Sequence, residues 1–280
     1  MNVWFITGAS RGFGLEIARE ALSRGDSVVA TARNPQAVYD AIPDAGDQLL
    51  AVALDVHDAA QIDAAVQAAV EKFGRIDVLV NNAGRGLLGA VEEATDEEVR
   101  AVYDVNVFGL LAVTRAVLPT LRAQRSGTII NLSSVGGFVS GPGWGVYSST
   151  KFAVEGLSEA MTHELAPLGI KVVAIEPGPF RTNFLDGSSL AIAANEIADY
   201  AETSGVTRKW ADDTNYAQDG DPLKAAKIIV DLPSYDTLPE RIQLGRNAFD
   251  RIAAKVERTA RDQEAWREIA LSADYEPAGA

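Results

Sequence analysis

Short apolar runs recur along the chain: "VWFIT", "SVVATA", "LLAVALDV", "IDVLVNNAG", "GTIINLSS" and "IKVVAIEPG". They are rich in Val and Ile and nearly continuous rather than alternating, the pattern of strands buried on both faces of a parallel sheet. Helical stretches separate them. "GLEIAREALSRG" (Gly14–Gly25) sets Ile17, Ala18, Ala21 and Leu22 on one stripe and stops at a glycine. "DAAQIDAAVQAAVEKFG" repeats the design, with Ile62, Val66, Ala69, Val70 and Phe73 on the stripe and Gly74 as the stop. "TDEEVRAVYDVNVFGLLAVTRAVLPTL" opens with Thr95 or Asp96 as N-cap and acids in its first turn.

Strand alternating with helix predicts an α/β fold, a doubly wound parallel sheet with helices on both faces and right-handed crossovers. The alternation passes the middle of the chain without a break, so one domain is expected over 1–246, with 247–280 as a helical C-terminal extension of it. The pattern loosens after about Gly178. From Phe180 to Asp221 the chain is polar with no clear strand, a helical or mobile excursion whose length suits a lid over a substrate (179–221). "DPLKAAKIIVDLP" then resumes as a helix, "RIQLG" reads as a last strand, and Asn247–Ser272 as an amphipathic helical tail.

Composition narrows the chemistry. The 280 residues are 47% hydrophobic and 23% charged, ordinary for a globular protein. There is no cysteine, which removes disulfides, thiolate metal sites and a cysteine nucleophile together. Only His57 and His163 could serve as imidazoles, and neither has a second histidine at metal-binding spacing, so no metal site is expected. A net charge of −14 argues against nucleic acid and anionic membranes as partners. No apolar run approaches the roughly 18 residues of a membrane span. The start, "MNVWFITGAS", carries no charged leader or cleavage site, and a cytoplasmic location is expected.

The first strand runs into "TGASRGFG" (Thr7–Gly14). Gly8 permits a tight turn, Gly12 lets the backbone approach a phosphate, and Gly14 allows the helix to pack closely on the sheet. The helix N-terminus offers free N–H groups and partial positive charge to a pyrophosphate; the alternative is a glycine-rich loop with no ligand. At the end of strand two an acid would bind the hydroxyls of an NAD ribose. In "VVATARNP" that place is taken by Ala32, and Arg33 follows, with Arg11 as a second cation in the glycine loop. A planar guanidinium suits a 2′-phosphate, so NADP(H) is expected over NAD(H), unless Arg33 is merely a solvated loop residue.

"GVYSSTKFA" places Tyr147 four residues ahead of Lys151, on one face of a helix with Cβ atoms about 5–6 Å apart. Bringing a phenol from about 10 to near neutrality takes roughly 4 kcal/mol of differential interaction. An exposed ion pair supplies less. The spacing decides little without a sheltered site around it.

With the glycine loop, "NNAG" and Tyr-x-x-x-Lys in this order, the chain resembles the classical short-chain dehydrogenase/reductase family over about Val3–Thr182, more loosely to Gly245. The resemblance implies a Rossmann-like fold and an NADP(H)-dependent carbonyl reductase or alcohol dehydrogenase. It implies Tyr147 as general acid/base and Lys151 as the residue that lowers its pKa and binds the nicotinamide ribose. Ser134, thirteen residues before Tyr147, would orient the substrate oxygen, whereas Ser133 and Ser148 lack that offset. Asn106 in "DVNVFG" would hold a water linking Lys151 to solvent. Cofactor contacts are implied for Gly8, Ser10, Arg11, Gly12, Phe13, Gly14 and Arg33, for Asp55 and Val56 at the adenine, and for Asn82, Ala83 and Gly84 at the ribose. Pro177 and Gly178 follow strand six, and Thr182 stands where the family binds the carboxamide. Each has a bland alternative: Asp55 capping a turn, Asn81 tying neighbouring strands, Thr182 as an N-cap. Phe13 departs from the commoner isoleucine.

Ligands of open α/β sheets bind beyond the carboxyl ends of the strands. Leu87, Leu88, Phe138, Val139, Trp144, Phe180, Phe184 and Leu185 lie in segments expected to meet there, and predict an apolar pocket for a hydrophobic ketone, aldehyde or secondary alcohol. About half are expected to pack into the core or a subunit contact instead. No arginine or lysine is clearly placed to grip a carboxylate substrate, although Arg85 and Arg181 are candidates. The resemblance also implies a homodimer or homotetramer. The competing readings are a non-catalytic NADP(H) sensor or scaffold on this fold, and a sugar-nucleotide epimerase of the extended relatives.

Overall fold

A computed structural model describes residues 1–275. β1 (Val3–Thr7) leads into α1 (Gly12–Ser23), then β2 (Ser27–Ala32), α2 (Gln36–Ala41), β3 (Leu49–Ala53), α3 (Ala59–Phe73), β4 (Val78–Asn81) and a short β5 (Gly86–Leu88). α4 (Asp96–Tyr103) and α5 (Leu110–Gln124) are joined by a π-helical segment, Asp104–Gly109, and are followed by β6 (Gly127–Leu132), α6 (Gly145–Leu165), β7 (Ile170–Pro177) and β8 (Leu190–Ile192). The chain ends with α7 (Val206–Thr214), α8 (Pro222–Asp231), β9 (Arg241–Leu244), α9 (Arg246–Ala265) and α10 (Arg267–Leu271).

The main sheet is parallel throughout, in the order β3-β2-β1-β4-β6-β7-β9. In β1, Trp4 and Ile6 join one core cluster and Val3 and Phe5 the other, on the opposite face. Burial on both faces explains why the runs do not alternate. Trp4 also donates its indole N–H to Asp26 at 2.9 Å, so even its polar atom is satisfied.

Helix ends follow their local chemistry. Thr95 and Glu98 form a reciprocal capping box at the start of α4. Asp58 caps α3, and Gly74 closes it in the left-handed region, φ 77°. The α3 stripe differs from expectation in one position: Val70 is exposed and Ala65 is buried in its place.

The continuous helix Asp96–Gln124 has the length and mean hydropathy, 1.5, of a membrane span, longer than the sequence runs suggest. Its inward residues Val113, Val117 and Leu121 are buried in the core beneath the sheet. The excursion also departs from expectation. It contains a strand, β8, which pairs in parallel with β5 through Gly86–Leu190, Leu87–Ala191 and Leu88–Ile192. Three residues of strand in a polar context leave too little periodicity to read.

"RIQLG" is the edge strand β9, and the tail is helical as expected. Ala248 and Ile252 of α9 pack on Val135. From Val256 to Tyr275 every residue is exposed; the last five residues of the expected extension lie outside the described part of the chain.

Candidate active site

The strand order reverses direction between β1 and β4, which opens a crevice beyond their carboxyl ends. A cleft of about 750 Å³ occupies it. Gly8 and Gly12 both have positive φ, 65° and 56°, so the turn out of β1 needs glycine. A Cβ on Gly14 would meet Asn82 Nδ2 and the Gly8 carbonyl oxygen at 2.5 Å each. Gly14 therefore packs beneath the loop and does not face the cleft. Asn82 donates to the carbonyls of Thr7 and Gly8 at 2.8 and 3.0 Å, while the Thr7 hydroxyl accepts from the amides of Asn82 and Ala83. The "NNAG" segment thus clamps the glycine loop from below.

No side chain caps the N-terminus of α1, so its first amides face the cleft between Ser10, Gly12 and Phe13 on one side and Thr182 on the other. A Cβ on Gly12 would come to 3.7 Å of Thr182. The cradle suits an anionic diphosphate. Arg33, Asp55, Val56, Ala83, Gly84, Pro177 and Gly178 line the same cleft. A dinucleotide therefore fits the residues present. Asp55 and Thr182 line it and also do the bland work considered for them: Asp55 accepts from the His57 amide, Thr182 from that of Phe184. Asn81 is structural, donating at 2.9 Å to both Thr114 and Asn131.

One expected cation is already engaged. The Arg11 guanidinium donates to the Ser188 hydroxyl at 2.7 Å, to the Ser188 carbonyl at 3.0 Å and to the Ser189 hydroxyl at 2.9 Å. It ties the glycine loop to the excursion, which leaves exposed Arg33, directly after β2, as the cation at that end.

At the other end of the cleft α6 presents Tyr147 and Lys151, both buried. Trp144 and Phe184 flank the Tyr147 ring at centroid distances of 5.6 and 5.5 Å. Ser134 lines the cleft beside them, its hydroxyl accepting from the Gly136 amide at 2.9 Å. The Lys151 amine donates to the Leu132 carbonyl at 2.7 Å. Asn106 lies behind this group, outside the cleft wall: it accepts from the Arg85 amide and donates to the Arg85 carbonyl and the Thr150 hydroxyl, each at 2.9 Å. The π-helical turn carries it inward, and Gly109 makes that approach possible, since a Cβ there would strike Val56 at 2.6 Å.

Burial pushes the Tyr147 phenol up to about 12, with a hydrogen bond from Ser134 acting the other way. Burial pulls the Lys151 amine down to about 8, against the opposing charge of Glu155. The Lys151 amine stands 6.0 Å from the ring centroid, and burial outweighs it in the protein alone. The protein's own residues hold Tyr147 as a proton donor.

The expected apolar pocket is partly rebuilt. Trp144 and Phe184 line it. Phe180 faces the glycine-loop side instead, packed on Phe13 at 5.1 Å, which gives the phenylalanine in the glycine loop its partner. Leu87 is buried outside the cleft wall, Leu88 packs with Leu190 and Ala211, and Phe138 packs under α9. Of the two arginine candidates, Arg181 is spent on the Gln218 carbonyl, and Arg85 lines the cleft. The sequence reading missed Trp210, Gln218 and Arg251, all on the cleft wall. Arg251 was legible only in part: it lies three residues after Ala248, at the exposed edge of the face that packs inward.

The family model of the short chain dehydrogenase matches residues 2–191. Oxidoreductase BOA17 of Botryotinia fuckeliana is 38% identical over 272 residues, 97% of this chain and 98% of that protein. Among solved structures, a short-chain dehydrogenase from Streptomyces avermitilis superposes with a TM-score of 0.91 at 40% identity, covering 98% of this chain and all of that one. The 3-ketoacyl-(acyl-carrier-protein) reductase of Brucella melitensis, complexed with NADH, gives 0.73 at 29% identity over 88% of this chain and 98% of that one.

Proposed function

Because this chain belongs to the short-chain dehydrogenase family, and so to its oxidoreductases, we propose that it is an NADP(H)-dependent carbonyl reductase or alcohol dehydrogenase acting on a small molecule with an apolar flank. The observation that carries the reading is the convergence of Tyr147, Ser134 and Lys151 on the wall of the cleft whose far end is the glycine cradle. When bound, the nicotinamide supplies or accepts the hydride.

The chain's residues do the rest. Tyr147, held protonated by burial, gives its proton to the substrate carbonyl oxygen in the reducing direction. Ser134 donates to the same oxygen, orienting it and stabilising the charge that develops there. Lys151 binds the nicotinamide ribose and keeps a cation beside Tyr147. Asn106, fixed by Arg85 and Thr150, holds the back of the Lys151 pocket, where a water would return protons. Trp144 and Phe184 exclude solvent around the phenol and receive the apolar part of the substrate. Gly8, Ser10, Gly12 and Phe13 would hold the diphosphate, Asp55 and Val56 the adenine, and Arg33 the 2′-phosphate. The excursion, held by Arg11 to the glycine loop, acts as a lid over both halves.

The test follows NADPH absorbance against a panel of ketones and aldehydes, with Tyr147→Phe alongside. Turnover by the wild type that falls 10²-fold or more in the variant, with NADPH binding retained, supports the reading. NADPH binding without turnover of any carbonyl sinks it in favour of a sensor on the same fold.

A further inference from the structure

The substrate half of the cleft contains a cation that the proposed chemistry does not use. Arg251 lies on α9 and lines the cleft together with Val139, Gly141 and Trp144. Among the described residues it has no acidic partner or hydrogen-bond acceptor. The residue as a whole is exposed, and burial of part of its side chain lowers the guanidinium. Arg85 also lines the cleft, held through its main chain by Asn106 and with no side-chain partner among the described residues, so it is the control for Arg251; the remaining cleft arginines differ. Arg11 is spent on Ser188 and Ser189, and Arg181 on Gln218, whereas Arg33 belongs to the far end of the cleft, after β2.

The position of Arg251 is built. Ala248 and Ile252 seat α9 against Val135, the residue after Ser134. Lys255 donates to the Phe138 carbonyl at 2.5 Å and lies over the rings of Phe138 and Phe152. Positions 248, 252 and 255 share one face of a helix, and 251, within the same stretch of chain, lies at the edge of that face. The helix is therefore pinned, on both sides of Arg251, to the segment that leaves Ser134. The guanidinium reaches Gly141 of that segment, with Nη2 4.0 Å from where a Cβ would stand.

An arginine left unpaired at a cleft wall, in a protein of net charge −14, has many acids it could have been paired with. We infer that Arg251 is the anion-recognition residue of the substrate site, and that the substrate carries a carboxylate at the end remote from its reacting carbonyl. The inference rests on the reductase reading for the carbonyl, and on Arg251 alone for the anion. One guanidinium carries one charge and a planar fork, which matches a carboxylate in two parallel hydrogen bonds. The same fork fits a phosphoryl group, but one guanidinium neutralises a carboxylate in full and a dianion only by half. The aromatic wall of Trp144, Tyr147 and Phe184 then receives the apolar middle of the molecule. The substrate class is an amphipathic oxo acid, not a neutral ketone.

The experiment uses the full-length protein loaded with NADPH and a series of oxo acids of graded chain length, each with its methyl ester and the corresponding oxo-alkyl phosphate. The wild type is compared with Arg251→Met, Arg251→Lys and Arg85→Met. The expected result is a higher kcat/KM for acid than for ester. That ratio falls at least tenfold in Arg251→Met, mainly through KM, and is partly restored in Arg251→Lys. Quenching of Trp144 and Trp210 fluorescence by unreactive saturated carboxylates of the same length gives a second readout that needs no turnover, and binding there weakens in parallel. Equal use of acid and ester, a preference for the phosphate, or a ratio that falls in Arg85→Met and not in Arg251→Met overturns the inference and leaves the reductase reading intact. Arg251-dependent carboxylate binding with no turnover of any carbonyl does the reverse.

Discussion

Lys151 holds its amine 6.0 Å from the centre of the Tyr147 ring while donating a 2.7 Å hydrogen bond to the Leu132 carbonyl. The two residues are separated by one turn of α6, yet they titrate in opposite directions. Burial raises the phenol and lowers the amine, because in each case it disfavours the charged form.

The pH profile of carbonyl reduction follows from that opposition. Tyr147 remains a proton donor up to about 12, so the phenol does not limit the reaction near neutrality. Lys151 loses its proton through about 8, and with it the cation beside the phenol. The expected kcat/KM with NADPH is level from pH 6 to about 7.5 and declines above 8. Lys151→Arg, with a group that stays charged, is slower but lacks that decline. A decline that persists unchanged in the variant would assign it to another group.

On the proposed reading, Arg33 is expected to set the choice between the two cofactors. It follows β2 where an acid would otherwise read the ribose, and Arg11 is engaged elsewhere. A charge-assisted hydrogen bond contributes about 1.5–3 kcal/mol. Arg33→Asp is therefore expected to weaken NADPH binding by roughly 10- to 100-fold and to improve that of NADH. Titration of both cofactors by fluorescence measures the switch, and an unchanged ratio removes Arg33 from the cofactor site.

Glu93 anchors the excursion. It is fully buried and accepts from the amides of Ala90 and Ile197 and from the Arg208 guanidinium at 2.7 Å. Burial pushes its carboxyl up, but these partners together hold it below the usual carboxylate range. Removing one partner of a buried pair costs about 3–5 kcal/mol, because the other charge stays buried. Arg208→Met should lower the melting temperature by several degrees and expose the stretch 193–214 to protease first. Uniform cleavage along the chain would mean that Glu93 stabilises the whole fold and not this segment.

Glu176 makes stability depend on pH in an unusual direction. It is buried at the end of β7 facing Glu155, Arg241 and Gln243, and burial, with the Glu155 charge, raises its carboxyl to about 7. Between the ordinary value of 4.5 and 7 the folded state binds more protons than the unfolded one, so this group's contribution falls as pH rises through that window. Glu176→Gln keeps a neutral acceptor for Gln243 and removes the penalty. Its melting temperature should exceed that of the wild type by more at pH 8 than at pH 5.5. A constant offset would contradict the assignment.

The runs that became β1, β2, β3, β4, β6 and β7 were legible because strands covered largely on both faces are mostly apolar along their length, and few other structures ask for that. Gly8, Gly12 and Gly14 were legible for a similar reason: left-handed backbone at the first two and a close backbone approach at the third admit little else. β5 and β8 were not. Each is three residues long and exists only because the other lies beside it.

Within the site, helix period put Tyr147 and Lys151 on one face, a local property, and the family resemblance added Ser134. What Arg11 and Arg251 do is not local. Arg11 finds Ser188 across 177 residues, and Arg251 reaches Gly141 only because α9 folds back onto the loop after β6. A side chain's charge is written in the sequence. Whether that charge is spent inside the protein or left for a ligand depends on which partners come within about 3 Å, and only the packing of distant segments decides that.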